Sequence, residues 1–334
     1  MAGGSATAVY TAIGANSIVA VAKFTAFGMT GSGAMLSEGI HSVADVANQC
    51  LLALGLSRSK RPADEARPYG YDQERFVWAL ISAVGIFFLG CGVTLYHGIH
   101  SLIEGAEMHS SGIALGVLGF SFVIEGLSLL VATRAIQKEA HARGMGLMEY
   151  VRGGSNPTGA AILLEDGAAV LGVVIAAVCI GIGEATGQPW WDGVGSIAIG
   201  LLLGWVAIWL INKNRMALVG RAVPGEQRDR VLEILSNDPI VDHVADVKTT
   251  MVGDSAFRFK AEIDFNGAEI ARRWLETHDA AQLLEDLDSP EALQTLLETL
   301  GEELLTALGD EIDRLEGRIQ ALVPSAQHVD IEAD

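Results

Sequence analysis

Residues 76–99 read FVWALISAVGIFFLGCGVTLYHGI, a run that contains no aspartate, glutamate, lysine or arginine. A helix of about 20 apolar residues is long enough to cross a hydrocarbon layer of about 30 Å. Segments of the same character occur near Ala8 to Met29, Ala34 to Leu56, Gly112 to Ala135, Gly159 to Gly183 and Val194 to Ile211. The sequence therefore predicts a polytopic α-helical membrane protein with six transmembrane helices in a lipid bilayer.

Charge is distributed unevenly along the 334 residues, whose formal net charge is −19. Residues 1–221 contain 13 basic and 15 acidic side chains, whereas residues 222–334 contain 9 basic and 26 acidic ones. A surface this acidic repels phosphate backbones, which excludes a nucleic-acid partner. We expect a membrane domain at residues 1–215 and an acidic soluble domain at residues 216–334.

The loops between the predicted spans also differ in charge. Basic residues follow the second, fourth and sixth spans, namely Arg58, Lys60, Arg61, Arg67 and Arg75, then Lys138, Arg143 and Arg152, then Lys213, Arg215 and Arg221. Because short cytoplasmic loops collect lysine and arginine, both termini are predicted to be cytoplasmic. No transit segment is recognisable, so the expected location is a bacterial plasma (inner) membrane. A mitochondrial or vesicular membrane is the alternative if a presequence has been removed.

The acidic domain shows a mixed α+β pattern. Its elements are predicted as a helix from Pro224 to Leu235, strands at Val244 to Val252 and Ala256 to Phe265, a helix from Pro290 to Leu322 and a last strand at Gln327 to Ile331. An additional helical segment covers Ala268 to Leu287. Without that segment, the order of elements is αββαβ with an antiparallel hairpin.

Ionisable side chains occur where lipid is expected, at a cost of about 2.5 to 3.5 kcal/mol each. His41 and Asp45 are four residues apart, so both lie on one helical face and can reach one ion at about 2.0 to 2.2 Å. The fifth span repeats the anomaly with Glu165 and Asp166. These four residues are the predicted metal ligands. The alternative is internal pairing, either of His41 with Asp45 or through Lys23.

Lys23 and Glu125 are the other charges predicted inside the membrane, in the first and fourth spans. They can neutralise each other across a helix interface, and in the alternative interpretation Glu125 carries a proton. Glu104 and Asp192 lie at the ends of predicted spans and are expected to be solvated.

Three stretches together resemble the cation diffusion facilitator family of metal/proton antiporters. They are Met35-Leu-Ser-Glu-Gly-Ile-His41-Ser-Val-Ala-Asp45-Val-Ala-Asn48, Pro68-Tyr-Gly-Tyr-Asp-Gln-Glu-Arg75 and Asp192-Gly-Val-Gly-Ser196-Ile-Ala-Ile-Gly200. The fifth-span sequence LLEDGAA, residues 163–169, looks like the zinc transporter 9 branch of that family.

The resemblance implies a homodimer with a six-helix membrane domain, a ferredoxin-like cytoplasmic domain and a tetrahedral transport site made by spans two and five. His41, Asp45 and Asp166 match the family's ligands. The remaining ligand position is Ile162 here, and isoleucine cannot bind a metal. Glu165 is the nearest replacement, although it projects about 100° around the helix from Asp166. Asn48 or a water molecule is the auxiliary candidate.

The activity implied by the resemblance is efflux of Zn²⁺ in exchange for protons by alternating access. Protons and a divalent metal compete for the same carboxylates, and no prosthetic group is expected. Imidazole suits Zn²⁺, whereas added carboxylates favour Mn²⁺ or Fe²⁺, so these ions and Co²⁺ are alternative cargoes. A channel and a membrane metal sensor are alternatives from other classes. An enzyme is not expected, because no HExxH or nucleophile motif accompanies the carboxylates.

Overall fold

The computed structural model describes residues 2–104, 111–142, 144, 146–148, 150, 157–253 and 256–334. The chain divides into two compact units, and the division falls between Val219 and Gly220. The first unit contains long helices, and the second contains shorter helices and a sheet.

The described part of the first unit consists of long helices. They are α1 Ala2–Thr30, α2 Gly33–Ser59, α3 Glu74–Glu104, α4 Ser111–Ala142, α5 Pro157–Thr186 and α6 Trp190–Val219. Within α3, Ile86–Val93 is π-helical. Of these helices, α3 to α6 are long and apolar enough to cross a membrane. Within the described residues, α1 and α2 do not combine the same length and apolarity. In α2, the polar side chains of Glu38, His41 and Asp45 lower the apolar content.

Large apolar side chains cover much of the outside of this unit. Phe88 and Leu89 of α3 and Val131 of α4 are each 66% exposed. Apolar surface of this extent is not stable against water, but it is stable against lipid tails. These helices therefore present a lipid-facing surface.

Helices α3 and α6 approach closely at glycines. A Cβ atom on Gly200 of α6 would lie 2.9 Å from Cγ of Leu95, and one on Gly98 of α3 would lie 2.8 Å from Cγ1 of Ile197. Any larger residue would force the helices apart at these two points. Small residues allow such packing between helices in a bilayer, where the hydrophobic effect cannot drive helices together.

The turn between α1 and α2 is built around a buried carboxylate. Gly31 ends α1 with a φ of 65°, a conformation that glycine adopts without strain. Asp192 at the start of α6 is 1% exposed, and its carboxylate accepts hydrogen bonds from the Ser32 hydroxyl at 2.5 Å and from the N–H groups of Gly33 and Ala34. The expectation that Asp192 is solvated is therefore wrong, because this side chain caps the start of α2.

The second unit is a mixed α+β domain. Its elements are α7 Gly225–Ser236, β1 Val241–Met251, β2 Phe257–Phe265, α8 Gly267–Thr277, α9 Ala280–Glu285, α10 Pro290–Leu322 and β3 Ala326–Ala333. The sheet has the order β1-β2-β3, with β1 and β2 antiparallel and β2 and β3 parallel. The predicted hairpin, long helix and last strand are confirmed, with strand ends shifted by up to three residues.

The core of this unit lies between one face of the sheet and the helices. Strand β2 alternates along its length, so Phe257, Phe259 and Ile263 are fully buried on one face. They belong to one apolar cluster with Leu315 and Ile319 of α10. The period of two in the strand and the helical spacing of the leucines and isoleucines explain why these elements pack together.

Candidate metal centre

Helices α2, α4 and α5, together with Asn16 of α1, line an open polar cavity of about 420 Å³, a volume that includes its mouth. The polar residues that line it are Asn16, Asp45, Gln49, Glu125, Ser128, Glu165 and Asp166. Three of the four predicted metal ligands therefore face one space, although they come from helices that are far apart in the sequence.

His41 and Asp45 lie on successive turns of α2. Nε2 of His41 is 3.5 Å from Oδ2 of Asp45, and the His41 residue is 3% exposed. Nδ1 of His41 has no hydrogen-bond partner within the described part of the chain. His41 lies beside the cavity rather than among its lining residues, so the imidazole reaches the carboxylates only from the edge.

Glu165 and Asp166 both face the cavity, although neighbouring helical residues point about 100° apart. Oε2 of Glu165 accepts a hydrogen bond from Nδ2 of Asn48 at 2.7 Å. Oδ2 of Asp166 accepts one from the Ser128 hydroxyl at 2.9 Å. Asn48, the predicted auxiliary ligand, thus contacts Glu165 directly. The Ile162 side chain lies outside the described residues.

The predicted ligands are close but are not assembled into a closed metal shell. Among the residues that the structure describes, no three side chains of His, Cys, Asp or Glu are near enough to one another to hold an ion. Asp45, Glu165 and Asp166 nevertheless place three carboxylates around one cavity, where a cation relieves their mutual repulsion. The hydrogen bonds from Asn48 and Ser128 occupy one oxygen each of Glu165 and Asp166, so the second oxygen of each carboxylate can contact an ion.

A second charged cluster joins α1, α2 and α4. Nζ of Lys23 lies 2.7 Å from Oε2 of Glu38 and 2.8 Å from Oε1 of Glu125. We call Lys23, Glu38 and Glu125 the lysine triad. Sequence reasoning placed Lys23 beside Glu125 but missed Glu38, which is fully buried. The signal was available, because Glu38 precedes His41 by three residues and therefore lies on the same helical face.

Known proteins resemble nearly the whole chain. Residues 9–219 match the family model described as the cation efflux transmembrane domain. Metal tolerance protein C4 of Arabidopsis thaliana is 46% identical over 98% of this chain. The human proton-coupled zinc antiporter SLC30A9, mitochondrial, is 43% identical over 98% of it. Magnetosome protein MamB of Magnetospirillum gryphiswaldense is 25% identical over 71% of this chain and 75% of its own length.

The chain spans 73% of the length of the plant protein and 58% of the human one. The name of the human relative assigns that protein to mitochondria. The prediction of a bacterial plasma membrane is wrong by this comparison. The prediction failed because hydropathy and loop charge identify a membrane protein and its orientation, but they do not identify the membrane in which it resides.

Proposed function

Since this chain belongs to the cation efflux family, the cation diffusion facilitators that its motifs resemble, we propose that it exchanges Zn²⁺ for protons by alternating access. The matched family model describes a cation efflux domain, and the human relative is by its name a proton-coupled zinc antiporter. The observation that carries the proposal is the cavity between α2, α4 and α5, which is lined by three carboxylates and bordered by an imidazole.

The proposed ligands are His41 and Asp45 of α2 with Glu165 and Asp166 of α5. Brought together around one ion, their one nitrogen and three oxygens would form a tetrahedral set that suits Zn²⁺. Glu165 supports this assignment because its carboxylate faces the same cavity as Asp45 and Asp166, which compensates for the isoleucine at position 162. Asn48 then orients Glu165, or joins the shell as an auxiliary ligand.

Proton coupling follows from the same carboxylates. A metal ion requires the deprotonated form of each ligand, so metal binding releases protons and high proton concentration releases metal. A proton gradient in one direction therefore drives metal in the other. Alternating access exposes the cavity to each side of the membrane in turn.

We further propose six membrane spans, with α1 and α2 crossing beside α3 to α6. Lys23 of α1 and Glu38 of α2 are buried against each other, and Glu125 of α4 completes their pairing. Buried charges of this kind are tolerated in a bilayer when they face other helices. We propose that the second unit is a ferredoxin-like domain that holds a homodimer together, with the domains at residues 1–215 and 216–334.

Mn²⁺, Fe²⁺ and Co²⁺ are the alternative cargoes. Carboxylates outnumber imidazoles three to one in the proposed shell, a ratio that favours Mn²⁺ and Fe²⁺ more than a histidine-rich site does. The transport assay must therefore compare these ions directly.

The test is metal uptake into proteoliposomes, with and without an imposed pH gradient. Zn²⁺ uptake that depends on the gradient is expected, together with its loss in Asp166→Asn. Asp310→Asn makes the same chemical change at an exposed position of the second unit and serves as the control. Metal flux that ignores the pH gradient would indicate a channel. No flux of any of the four ions would overturn the proposal.

A further inference from the structure

The lysine triad has an excess of negative charge. Two carboxylates, Glu38 and Glu125, share the single ammonium group of Lys23. With all three groups ionised, the triad carries a net charge of −1. Lys23 and Glu38 are within 1% of complete burial, and Glu125 is 8% exposed. A net charge this far from water is unfavourable, and one added proton removes it.

Two oxygens of the triad are available to receive that proton. Oε1 of Glu38 and Oε2 of Glu125 are buried, and neither has a hydrogen-bond partner among the described residues. An unpaired buried polar atom costs free energy and calls for an explanation. The other oxygen of each carboxylate is already bound to Lys23, so the triad is a preformed site with one side unused.

The space around Glu38 indicates which cation fits. Its carboxylate lies so close to the backbone of Gly172 in α5 that a Cβ atom there would overlap Oε1. A divalent metal needs several ligand atoms at about 2.0 to 2.2 Å and room to be surrounded by them. A proton needs only one oxygen. The triad is therefore suited to a proton rather than to a second metal ion.

Glu125 connects the triad with the metal cavity. It lines that cavity beside Asp45, Glu165 and Asp166, yet its hydrogen bond is to Lys23. The charged and titratable groups around the triad are His41 and Asp45 of α2 and Glu165 and Asp166 of α5. A divalent cation among these carboxylates repels a proton held at Glu125.

From this arrangement we propose that the lysine triad holds a counter-transported proton at a site separate from the metal ligands. The inference rests on the proposed exchange of Zn²⁺ for protons. Metal entry raises the positive potential at Glu125, the carboxyl O–H bond breaks, and its proton passes to water at the open mouth of the cavity while both carboxylates keep their hydrogen bonds from Lys23. When the metal leaves, its positive potential no longer offsets the triad's net charge of −1, and a proton binds again.

The first experiment measures protons released when Zn²⁺ binds to the detergent-solubilised full chain in weak buffer. Glu38→Gln and Glu125→Gln keep the size and one oxygen of each side chain but remove its charge. Each is expected to release about one proton fewer per Zn²⁺ than the unmodified protein. Glu184→Gln makes the same change at an exposed position of α5 and is expected to match the unmodified protein.

The second experiment separates proton coupling from metal binding in proteoliposomes. In Glu38→Gln we expect uptake driven by a pH gradient to fall about tenfold, whereas Zn²⁺/Zn²⁺ exchange at equal pH changes less than about threefold. Because Glu125 also lines the metal cavity, Glu125→Gln is compared with the unmodified protein only in proton release and in uptake driven by pH. It lies on another helix, so that misfolding of Glu38→Gln, detected by size-exclusion chromatography, does not decide the result.

Two outcomes overturn different conclusions. If the unmodified chain shows neither Zn²⁺ binding nor uptake driven by pH, the proposed function is wrong. If the unmodified chain shows both, but folded Glu38→Gln and Glu125→Gln release as many protons and retain uptake driven by pH, the triad is only structural. Loss of Zn²⁺/Zn²⁺ exchange in folded Glu38→Gln, in parallel with uptake driven by pH, would also contradict a separate proton site.

Discussion

Both units of this protein bury carboxylates, but the groups that surround these carboxylates differ between the two units. In the second unit, Asp238 is 4% exposed and accepts hydrogen bonds from Arg314 at 3.0 Å and from Arg318 at 2.8 Å. The N–H of Ile240 donates a further bond at 3.3 Å. Two arginines thus bind this one carboxylate; Arg314 also donates to Glu311, and both arginines reach water.

In the first unit, Glu38 and Glu125 share one lysine, and each keeps an oxygen without a partner among the described residues. Complete pairing of a buried carboxylate stabilises one structure. Excess negative charge instead leaves the site able to accept a cation. The contrast separates a carboxylate that holds a fold together from carboxylates that can serve transport.

The strongest effect is expected at the proposed metal ligands. Asp45→Asn and Asp166→Asn each remove a negative donor, so zinc affinity should fall more than about 100-fold, beyond the loss typical of residues that only orient ligands. Isothermal titration with Zn²⁺ measures the affinity, and thermal melting should show that both variants remain folded. Unfolding of both variants would instead make these carboxylates structural, like Asp238.

The opposite result is expected for Asp238→Ala. Loss of its charged hydrogen bonds should destabilise the second unit by about 2 kcal/mol, which accelerates hydrogen exchange in β2 about 30-fold. Zinc affinity should remain unchanged, because the first unit contains all the proposed ligands. Hydrogen exchange of the full chain, followed by mass spectrometry, provides the measurement. Reduced zinc affinity with unchanged exchange in β2 would contradict the comparison.

Gly172→Ala tests the fit of the lysine triad without changing any charge. The added methyl group would overlap Oε1 of Glu38, so the carboxylate must shift away from α5. We expect uptake driven by pH to fall about tenfold, the cost of displacing a positioned group. Gly181→Ala is the control, because a Cβ atom at this position of α5 meets no nearby atom. Equal uptake by both variants would show that the position of Glu38 is unimportant.

The smallest effect concerns an exposed ion pair of the second unit. Hydrogen bonds from Arg272 and Arg273 lower the pKa of Glu269 to about 2. Because this pKa is lower in the folded state, the ionised Glu269 side chain stabilises the folded second unit at pH values above its ordinary pKa of 4.5. This stabilisation is lost as the pH falls through about 2. Carboxyl-carbon NMR, with Glu269→Gln to assign the signal, measures the titration. A midpoint near 4.5 would show that the arginines do not hold this side chain.

Much of the architecture was predictable because helices and strands leave local patterns. The apolar run at residues 76–99 predicts a long helix, and α3 covers it. The leucine spacing of residues 290–322 likewise predicts α10 with its observed ends. Helix Gly33–Ser59 covers the second predicted span, but it is less apolar than α3 to α6 because it contains the polar residues Glu38, His41 and Asp45.

The site was predictable as a set of residue types and less so as an arrangement. His41 and Asp45 share a face because helical geometry places residues four apart on adjacent turns. No such rule relates Glu165 to Asn48, which are 117 residues apart and form a hydrogen bond. The capping role of Asp192 at the start of α2 was missed for the same reason.

Local order along the chain was enough to define the helices, the αββαβ pattern and the family motifs, because hydrogen bonds within a helix or hairpin link residues that are close in sequence. The packing of helices alone decided that Lys23 is shared by Glu38 and Glu125, which lie 15 and 102 residues away. Such a contact depends on which helix faces meet and how closely glycines such as Gly172 let them approach. That information belongs to the folded molecule and not to any one segment.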